Sequence, residues 1–547
     1  MEFTVEAIIR HLQAEARRPL KAKELARALE IPQDDYREFR DFLGRLVDDG
    51  VLYRVKGQRY ALPRKINLAV GPLQTIRSGA GFVETEEGPD VFIPSSALGS
   101  ALDGDRVVAR VERRRRGDRP EGRIIKVLER ARETVVGIYH PSRNFGFVVA
   151  EDQKLTRDVF VPPGQEGGAE DGDVVVVRIT SWGDTKRGPA GEVDRVLGKL
   201  TDAGVDVLAV AHGHELPLEF PPEVDEAANA LQREGVNVGR LADRRDLRGQ
   251  LVFTIDPADA RDHDDALSIR KGEDGLWEVG IHIADVSHYV EEGGVIDQEA
   301  FRRGTSVYLV DRVVPMLPEA LSADLCSLRP REDRLAVTLL LRMDDSAEVR
   351  EYEVVRSVIR SAHKLAYEDA QGVLEGTGSI SGEVDAAIRH LASLARKLRR
   401  KRMDRGSIDF DLPESRVVLN REGEPTDIQK VLRLEAHRLV EDFMILANET
   451  VDRAARGRKL PFLHRVHEPP DGDRLERLRR FLGGLGVRIP DRPTPKDLQQ
   501  ALAVGTAVVG FGAGITRRTP MLVGVRLALG TASASALDVD DAGRVRH

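Results

Sequence analysis

Cysteine is almost absent from this sequence: Cys326 is the only one in 547 residues. A single thiol cannot form an intramolecular disulfide, and no Cys/His cluster has zinc-ligand spacing, so neither a disulfide framework nor a structural zinc site is expected. Cys326 reads as a small core residue. Aromatic residues are few as well, 5% of the chain, so the positions where they gather carry information. No apolar run approaches the length of a membrane-spanning helix. The opening MEFTVEAIIRHLQAEARR carries acidic residues early and lacks the basic, apolar, small-residue order of a signal peptide. A cytoplasmic chain with no membrane partner is the expectation. An excess of positive charge is missing too: 83 Lys and Arg against 91 Asp and Glu leave a net charge of −8. The chain is therefore not basic throughout, and any contact with a polyanion has to use local basic tracts.

What is present is ordinary globular material, 41% apolar and 32% charged. Its length exceeds what one hydrophobic core supports, so several domains are expected. Residues 3 to 62 alternate helical patterns with turn signals and end in VLYRVKGQRYAL, two short β-rich runs about a Lys56-Gly57 turn. The middle helix KAKELARALEI, a break at Pro32, and the apolar positions Phe39, Phe42, Leu43 and Leu46 fit three helices feeding a wing. A winged helix-turn-helix is the resulting expectation, serving either nucleic-acid docking or packing against a partner.

From about residue 68 the pattern changes to short strands with glycine turns, and it does so twice. Gly79-Ala80-Gly81-Phe82-Val83 followed by Asp90-Val91-Phe92-Ile93-Pro94 is echoed by Asn144-Phe145-Gly146-Phe147-Val148 followed by Asp158-Val159-Phe160-Val161-Pro162. Each copy closes on a Gly-Asp and a valine-rich strand, GDRVVARV and GDVVVVRI. Such a repeat indicates two copies of one β-module. The pattern resembles the strand motifs of cold-shock domains, which are small OB-type barrels. That resemblance implies an RNA-stacking platform at Phe82, Phe92, Phe145, Phe147 and Phe160, where each stacked base contributes roughly 1–3 kcal/mol without sequence preference. Some of these rings are expected to fill the barrels instead, because alternate residues of a strand face opposite ways. Arg113 to Arg116, with Arg119 and Arg123, are either a phosphate-tracking rim beside the first barrel or a solvated face. Residues 198 to about 245 read as a linking segment interrupted by Pro217, Pro221 and Pro222, with a short helical pattern in VDEAANALQ.

The chemistry concentrates in LVFTIDPADARDHDDALSIR, residues 251 to 270. An apolar run delivers Asp256 to a Pro257 turn, and a compact loop then presents Asp259, Asp262, Asp264 and Asp265. Five carboxylates within ten residues repel one another unless cations or basic groups neutralise them. All-oxygen ligands suit hard divalent ions, and two such ions about 4 Å apart serve the in-line hydrolysis of a phosphodiester. A calcium-type loop is the first rival, although the stretch lacks the central glycine and terminal glutamate of an EF-hand. An exposed acidic turn with no ligand is the second.

TIDPADARDHDDA resembles the signature of the RNB catalytic domain of the ribonuclease R and ribonuclease II family. VGIHIADVSHYV (279 to 290), RGTSVYLVDRVVPMLPEALSADLCSLRP (303 to 330), RGSIDFDLPE (405 to 414), AHRLVEDFMILAN (436 to 448) and PFLHRVHEPPD (461 to 471) follow in that family's order. The resemblance covers about residues 1 to 502. It implies that Asp256, Asp262, Asp264 and Asp265 are the family's four essential aspartates, binding magnesium and positioning the attacking water, with Asp259 outside the four. It also implies that Tyr308 stacks against the 3′-terminal nucleotide and that one of Glu441 and Asp442 faces the catalytic channel. His282 and His288 alternate on a β-run and are expected to be structural.

After Leu502 the family continues into a block reading approximately HFTSPIRRYPDL, which supplies arginines to the scissile phosphate, and then into a C-terminal OB-type domain. Here the chain instead reads AVGTAVVGFGAGITRRTPMLVGVRLALGTASASALDVDDAGRVRH. A shifted reading frame or a truncated gene is the expected cause. The two other frames past codon 502 test it, since one of them must encode the missing block.

The expected architecture is multidomain α+β: a winged helix-turn-helix at 1–65, cold-shock-like OB barrels at 66–130 and 131–200, a linking segment at 201–245, a C-terminally incomplete RNB catalytic domain at 246–502, and an unmatched tail at 503–547. The expected function is that of a monomeric 3′-to-5′ exoribonuclease. It would use Mg2+ or Mn2+ to hydrolyse single-stranded RNA with a free 3′ end processively to nucleoside 5′-monophosphates. The rival reading is an inactive or impaired RNA-binding remnant of such an enzyme.

Overall fold

The computed structural model describes residues 4–14, 18–85, 88–113, 120–155, 157–183, 187–236, 243–409, 414–464, 470–484 and 486–501, and the short strands 538–539 and 545–546. Arg114 to Arg116, Arg119, the side chain of Arg113 and nearly all of the 503–547 tail lie outside the described residues. The chain divides into two compact units. One holds residues 1–218, 308–314 and 419–426, and the other holds 219–307, 315–418 and 427–547.

The first unit begins with α1 (Val5–Ala14), β1 (Leu20–Lys21), α2 (Ala22–Ala28), α3 (Tyr36–Asp48), β2 (Tyr53–Val55) and β3 (Arg59–Ala61), the strands pairing in the order β1-β3-β2. Ile8 and Leu12, and Phe39, Leu43 and Leu46, recur at three- and four-residue spacing and meet Leu25 in a common core. Gly57 turns the β2–β3 hairpin with φ +84°, a conformation that suits glycine. Lys65 Nζ donates to the carbonyls of Leu12 and Gln13 at 2.7 and 2.8 Å, satisfying the C-terminal end of α1.

Two closed barrels follow. The first comprises β4 (Leu68–Thr75), β5 (Gly81–Val83), β6 (Val91–Ile93), β7 (Arg106–Arg113) and β8 (Glu121–Glu129), and the second β9 (Thr134–Pro141), β10 (Gly146–Ala150), β11 (Val159–Val161), β12 (Asp173–Ser181) and β13 (Ala190–Lys199). Their strand orders, β4-β5-β6-β8-β7 and β9-β10-β11-β13-β12 around the closure, are the same. The repeated Gly-Asp has a structural explanation. Asp105 accepts from the Leu102 amide at 2.9 Å and from Arg130 Nη1 at 2.6 Å. Asp173 likewise accepts from the Glu170 amide at 2.7 Å and pairs with Lys199 at 2.6 Å. In both copies the carboxylate closes a turn and binds a cation at the end of the barrel's last strand.

The barrel interiors are aliphatic, which corrects the expectation that some of the motif phenylalanines fill them. Leu73, Val83, Val91, Ile93 and Val107 fill the first, and Val148, Val159, Val161, Val175 and Val177 the second, joined by Tyr139. Glycine decides the register. A Cβ on Gly146 would lie 2.3 Å from the Tyr139 ring, so the inward position of Gly-Phe-Val has no room for a side chain and the phenylalanine faces out. The linking segment is more structured than its prolines suggested. Its helix α4 (Val205–Gly213) packs Val205 and Ala209 onto Val136, Val174 and Val176 of the second barrel.

The second unit starts with α5 (Pro222–Glu234), where Pro222 occupies the first helical turn instead of interrupting structure. Strands β14 (Arg245–Asp246), β15 (Val252–Asp256), β16 (Asp265–Lys271) and β17 (Trp277–Ala284) precede α6 (Val295–Arg303); the small hairpin that follows in sequence, β18 (Val307–Tyr308) with β19 (Val313–Val314), belongs from residue 308 to 314 to the first unit. A π-helical turn at Ala320–Leu325 leads to β20 (Asp333–Met343), β21 (Val349–Arg360) and β22 (His363–Ala366), then α7 (Tyr367–Glu375) and α8 (Gly382–Asp404). The hairpin of β23 (Glu414–Leu419) and β24 (Pro425–Val431) precedes α9 (Glu435–Gly457) and α10 (Gly472–Gly484). The central sheet runs β14-β21-β20-β17-β16-β15-β22. Leu267, Ile281, Leu339 and Leu341 join α7, α8 and α9 in one core, while Ala266, Leu335 and Val358 join α5, α6 and the π-helical turn in another. Helices on both faces explain why β15 is buried along its whole length and reads as mostly apolar instead of alternating. Cys326 lies in the second of these cores, 3% exposed. Among the described residues no helix is long and apolar enough to cross a membrane.

Candidate active site

The aspartate loop is the connection between neighbouring antiparallel strands β15 and β16. Asp256 ends β15, where it is 8% exposed and lies opposite Ala366 of the parallel strand β22. Asp265 opens β16 opposite Ile283. Several of the residues between them are exposed, but hydrogen bonds pin their backbone to the scaffold. The His263 amide donates to Ser327 Oγ at 3.1 Å, Ser327 Oγ donates to the Arg261 carbonyl at 2.8 Å, and the Leu328 amide donates to the His263 carbonyl at 2.8 Å. Lys364 Nζ donates to the Ala260 carbonyl at 2.6 Å, and the Ala284 amide to the Asp264 carbonyl at 2.9 Å. A loop tied at this many backbone points presents its side chains in one arrangement.

The electrostatics are those of crowded acids. Burial, and then the charges of Asp256 and Asp264, push the Asp265 carboxyl up to about 7, with His263 acting in the opposite direction. Asp264 opens to solvent at its rim, yet the same effects, desolvation first and then Asp262 and Asp256, raise it above the usual carboxylate range. Asp256 has a basic neighbour, His263 Nδ1, at 2.8 Å from its Oδ2. Asp259 stands apart, exposed and paired with Arg416 at 2.6 Å. Among the described residues no three His, Cys, Asp or Glu side chains already converge into a set that could hold a metal ion. The match to a hard divalent cation therefore rests on all-oxygen donors and on crowded carboxylates, not on a preformed cage.

Three residues of this site carried no weight in the sequence. His263 sits inside the loop, 3% exposed. Ser327 holds the loop from 64 residues downstream. Tyr367 follows Ala366, the partner of Asp256 across β15 and β22, and its hydroxyl is pushed up to about 12 by burial and then by the charges of Asp265 and Asp256. Its ring stacks on His437 with centroids 3.9 Å apart. His263 was legible as the one basic group within DHDD. Tyr367 was not, because the pairing of 256 with 366 spans a hundred residues.

The two histidines of 279 to 290 have no part in the loop. His282 is fully buried, its ring nitrogens 3.0 Å from Ser268 Oγ and 2.9 Å from Thr338 Oγ1, and burial lowers it to about 3. His288 lies exposed beside the Tyr289 ring. Glu441 and Asp442, expected to give the channel an acidic residue, are both paired with arginines. Asp442, its side chain 1% exposed, pairs with Arg399 at 2.8 Å and Arg402 at 2.9 Å, while Glu441 pairs with Arg433 at 2.5 Å. A carboxylate buried as deeply as Asp442 requires such partners.

In the first unit all five candidate phenylalanines face away from the barrel interiors. Phe82 and Phe92 are direct partners across β5 and β6 with ring centroids 5.4 Å apart. Phe147 opposes Phe160 across β10 and β11, Phe145 and Phe160 lie 5.3 Å apart, and Phe147 lies 5.4 Å from His140. Phe145 and Phe160 are 40% and 41% exposed. Tyr308 ends β18 and is 67% exposed. Outward rings at van der Waals spacing form a surface suited to stacking bases.

Comparison with known proteins gives the same architecture. The RNB domain model matches residues 244–509, a Ribonuclease B OB domain model 71–127, and a cold shock domain model 147–221. A ribonuclease R of Thermotoga maritima is 38% identical over 480 residues, which span 86% of this chain and 67% of that protein. A ribonuclease R of Aquifex aeolicus is 37% identical over 497 residues, spanning 90% and 70%. That of Escherichia coli is 34% identical, spanning 91% of this chain and 62% of its own. Among solved structures, the apo form of Mycoplasma genitalium RNase R superposes with a TM-score of 0.78 at 25% identity, covering 85% of this chain and 73% of that one. Yeast Ssd1, described as a pseudonuclease, shares the fold at a TM-score of 0.60 and 16% identity, covering 91% of this chain and 64% of its own. The fold therefore does not decide between catalysis and binding.

Proposed function

Since the chain belongs to the ribonuclease R family and carries its RNB domain, we propose that it hydrolyses single-stranded RNA from a free 3′ end, processively, to nucleoside 5′-monophosphates. The observation that carries this reading is the pinned aspartate loop: Asp264 and Asp265 are held above their ordinary range by burial and by the neighbouring loop carboxylates, and His263 is the basic group against Asp256. Asp256, Asp262, Asp264 and Asp265 would hold Mg2+ or Mn2+. When bound, such ions lower the pKa of a water molecule and stabilise the charge that develops on the departing 3′ oxygen.

The chain's own residues do the rest. His263 orients Asp256, and Ser327 keeps His263 in place through its backbone. The Tyr367 phenol, held protonated by burial and then by the neighbouring carboxylates, would donate a hydrogen bond towards them or towards a phosphate oxygen beside them. Tyr308 would stack on the terminal base. The outward phenylalanines of both barrels would hold the preceding strand by faces that every base possesses, which suits an enzyme that reads no sequence. The N-terminal helices and sheet we read as a winged helix-turn-helix that adds a further docking surface. The M. genitalium RNase R solved in complex with ribose-methylated single-stranded RNA, at 24% identity, gives a precedent for that ligand on this fold.

The test is to incubate the full chain with Mg2+ and 3′-tailed RNA and to resolve the products. Release of nucleoside 5′-monophosphates, lost in Asp264→Asn with RNA binding retained, supports the enzyme. Binding with no release in the parent chain means a non-catalytic RNA-binding protein.

A further inference from the structure

Arg303 is the last residue of α6, and its side chain is 1% exposed. Every part of its guanidinium is engaged. Nε donates to Glu299 Oε1 at 2.7 Å, Nη1 to the Pro315 carbonyl at 3.0 Å, and Nη2 to the Glu219 carbonyl at 2.7 Å, while the planar group lies 3.5 Å from the centroid of the Phe220 ring. Glu299 is itself 6% exposed and is held ionised by Arg302 and Arg303. One side chain thus joins three segments that are remote in sequence: the start of the second unit at 219–220, the end of α6, and residue 315.

Residues 303 and 315 bracket the β18–β19 hairpin. A second tie lies just inside them, where the Met316 amide donates to Ser306 Oγ at 2.9 Å. Gly304, at φ +73°, lets the chain leave the helix directly into the loop. The loop is closed at its base, and its exposed residues are Tyr308, Val310 and Val313. A buried ion pair is weak evidence of stabilisation, because apolar replacements of similar volume often match it. What apolar groups cannot supply is the rigid, directional fork of a guanidinium that fixes two carbonyls and a carboxylate relative to one another.

We infer that Arg303 is a positioning residue for the Tyr308 hairpin: buried away from any RNA, it fixes relative to one another the two chain ends, at 303 and 315, between which the hairpin is held. The inference rests on the reading that Tyr308 stacks on the 3′-terminal base. A ring displaced by an ångström still binds long RNA through the barrels, but it loses its grip on short products, for which the terminal base is most of the contact.

The test uses the full chain with Arg303→Lys, which keeps the charge and loses the fork. Hydrogen exchange of the amides in 305–314 should be faster than in the parent while the melting temperature stays within a few degrees. KM for oligonucleotides of four to six residues should rise at least about tenfold. The rise for a long single strand should be much smaller, and kcat on long RNA should be retained. Combining Arg303→Lys with Tyr308→Ala should add little to Tyr308→Ala alone, because both act through one ring. Unchanged exchange in 305–314, an unchanged KM for short substrates, or strictly additive effects would overturn the inference. If Arg303→Lys does not fold, Ser306→Ala removes the second tie and is read in the same way with a smaller rise. If the parent chain hydrolyses no RNA, the functional reading fails by itself, and the exchange measurement still decides whether Arg303 holds the hairpin.

Discussion

In the second barrel Phe145 and Phe160 stand about two-fifths exposed beside one another, whereas in the second unit Asp256 is 8% exposed, anchored to a histidine, and surrounded by carboxylates whose protonation is displaced upward. The barrel spends no charge on its rings and fixes them only by strand pairing. The loop collects like charge and holds it with hydrogen bonds to its backbone from three different segments, at 284, 327–328 and 364. An apolar, adaptable surface suits tolerant binding of any sequence, and a rigid, electrostatically stressed one suits chemistry at a single phosphate. The comparison teaches that the two tasks should separate under mutation.

The largest separation is expected from Asp256→Asn, which removes a loop carboxylate without changing its shape. Turnover on single-stranded RNA should fall by about 10² to 10³ or more, while affinity measured in the presence of a chelator stays within about threefold. A parallel loss of affinity would break the division. Phe145→Ala and Phe160→Ala should do the reverse, each weakening binding by about 1–3 kcal/mol, or roughly 5- to 150-fold, with kcat at saturating RNA unchanged. Phe82→Ala should cost less than either, because Phe82 and Phe92 are less exposed than Phe145 and Phe160. Equal costs in the two barrels would show that exposure is not what ranks them.

A third variant asks whether acids outside the loop behave differently. Arg399→Met leaves Asp442 buried with Arg402 as its remaining partner, and denaturant unfolding should register a loss of about 3 kcal/mol. Asp264→Asn, by contrast, should leave the ion-free chain as stable as the parent or more so, because it relieves repulsion instead of creating an unpaired charge. The smallest effect concerns His282. Burial holds its folded pKa near 3, below the ordinary value of 6.5, so the neutral ring's contribution is full above about 6.5 and is lost as pH falls towards 3. Urea midpoints between pH 7 and pH 4 should fall less steeply in His282→Asn than in the parent.

The barrels were legible from residue 68 onward because a repeat reports itself: Gly-Phe-Val, Asp-Val-Phe and Gly-Asp return at matching offsets, and the structure closes both copies in one strand order. Which side of the strand the phenylalanines take was not legible from alternation alone. It depends on Tyr139 pressing against Gly146, a contact between strands, and so Phe147 faces out with His140 instead of filling the barrel. The helix α4 was hidden within a segment whose prolines dominated its reading. In the site, the aspartates stand out in a run of ten residues, as does His263 among them. Tyr367 and Ser327 reach the loop through pairings that span some hundred and some sixty residues, and no local pattern records those. Glu441 and Asp442 show the opposite limit. An acidic pair on a helix does not announce its partners, which here are Arg399, Arg402 and Arg433.

The central claim is that the loop's carboxylates await a divalent cation. The most direct measurement is calorimetric titration of Mn2+ or Mg2+ into the chelator-stripped full chain at pH 6.5, repeated in buffers of different ionisation heat so that released protons are counted. With Asp265 held up to about 7, the account predicts saturable binding accompanied by proton release, both diminished in Asp265→Asn and in Asp256→Asn. Binding without proton release, or equal binding by the parent and both variants, would contradict it.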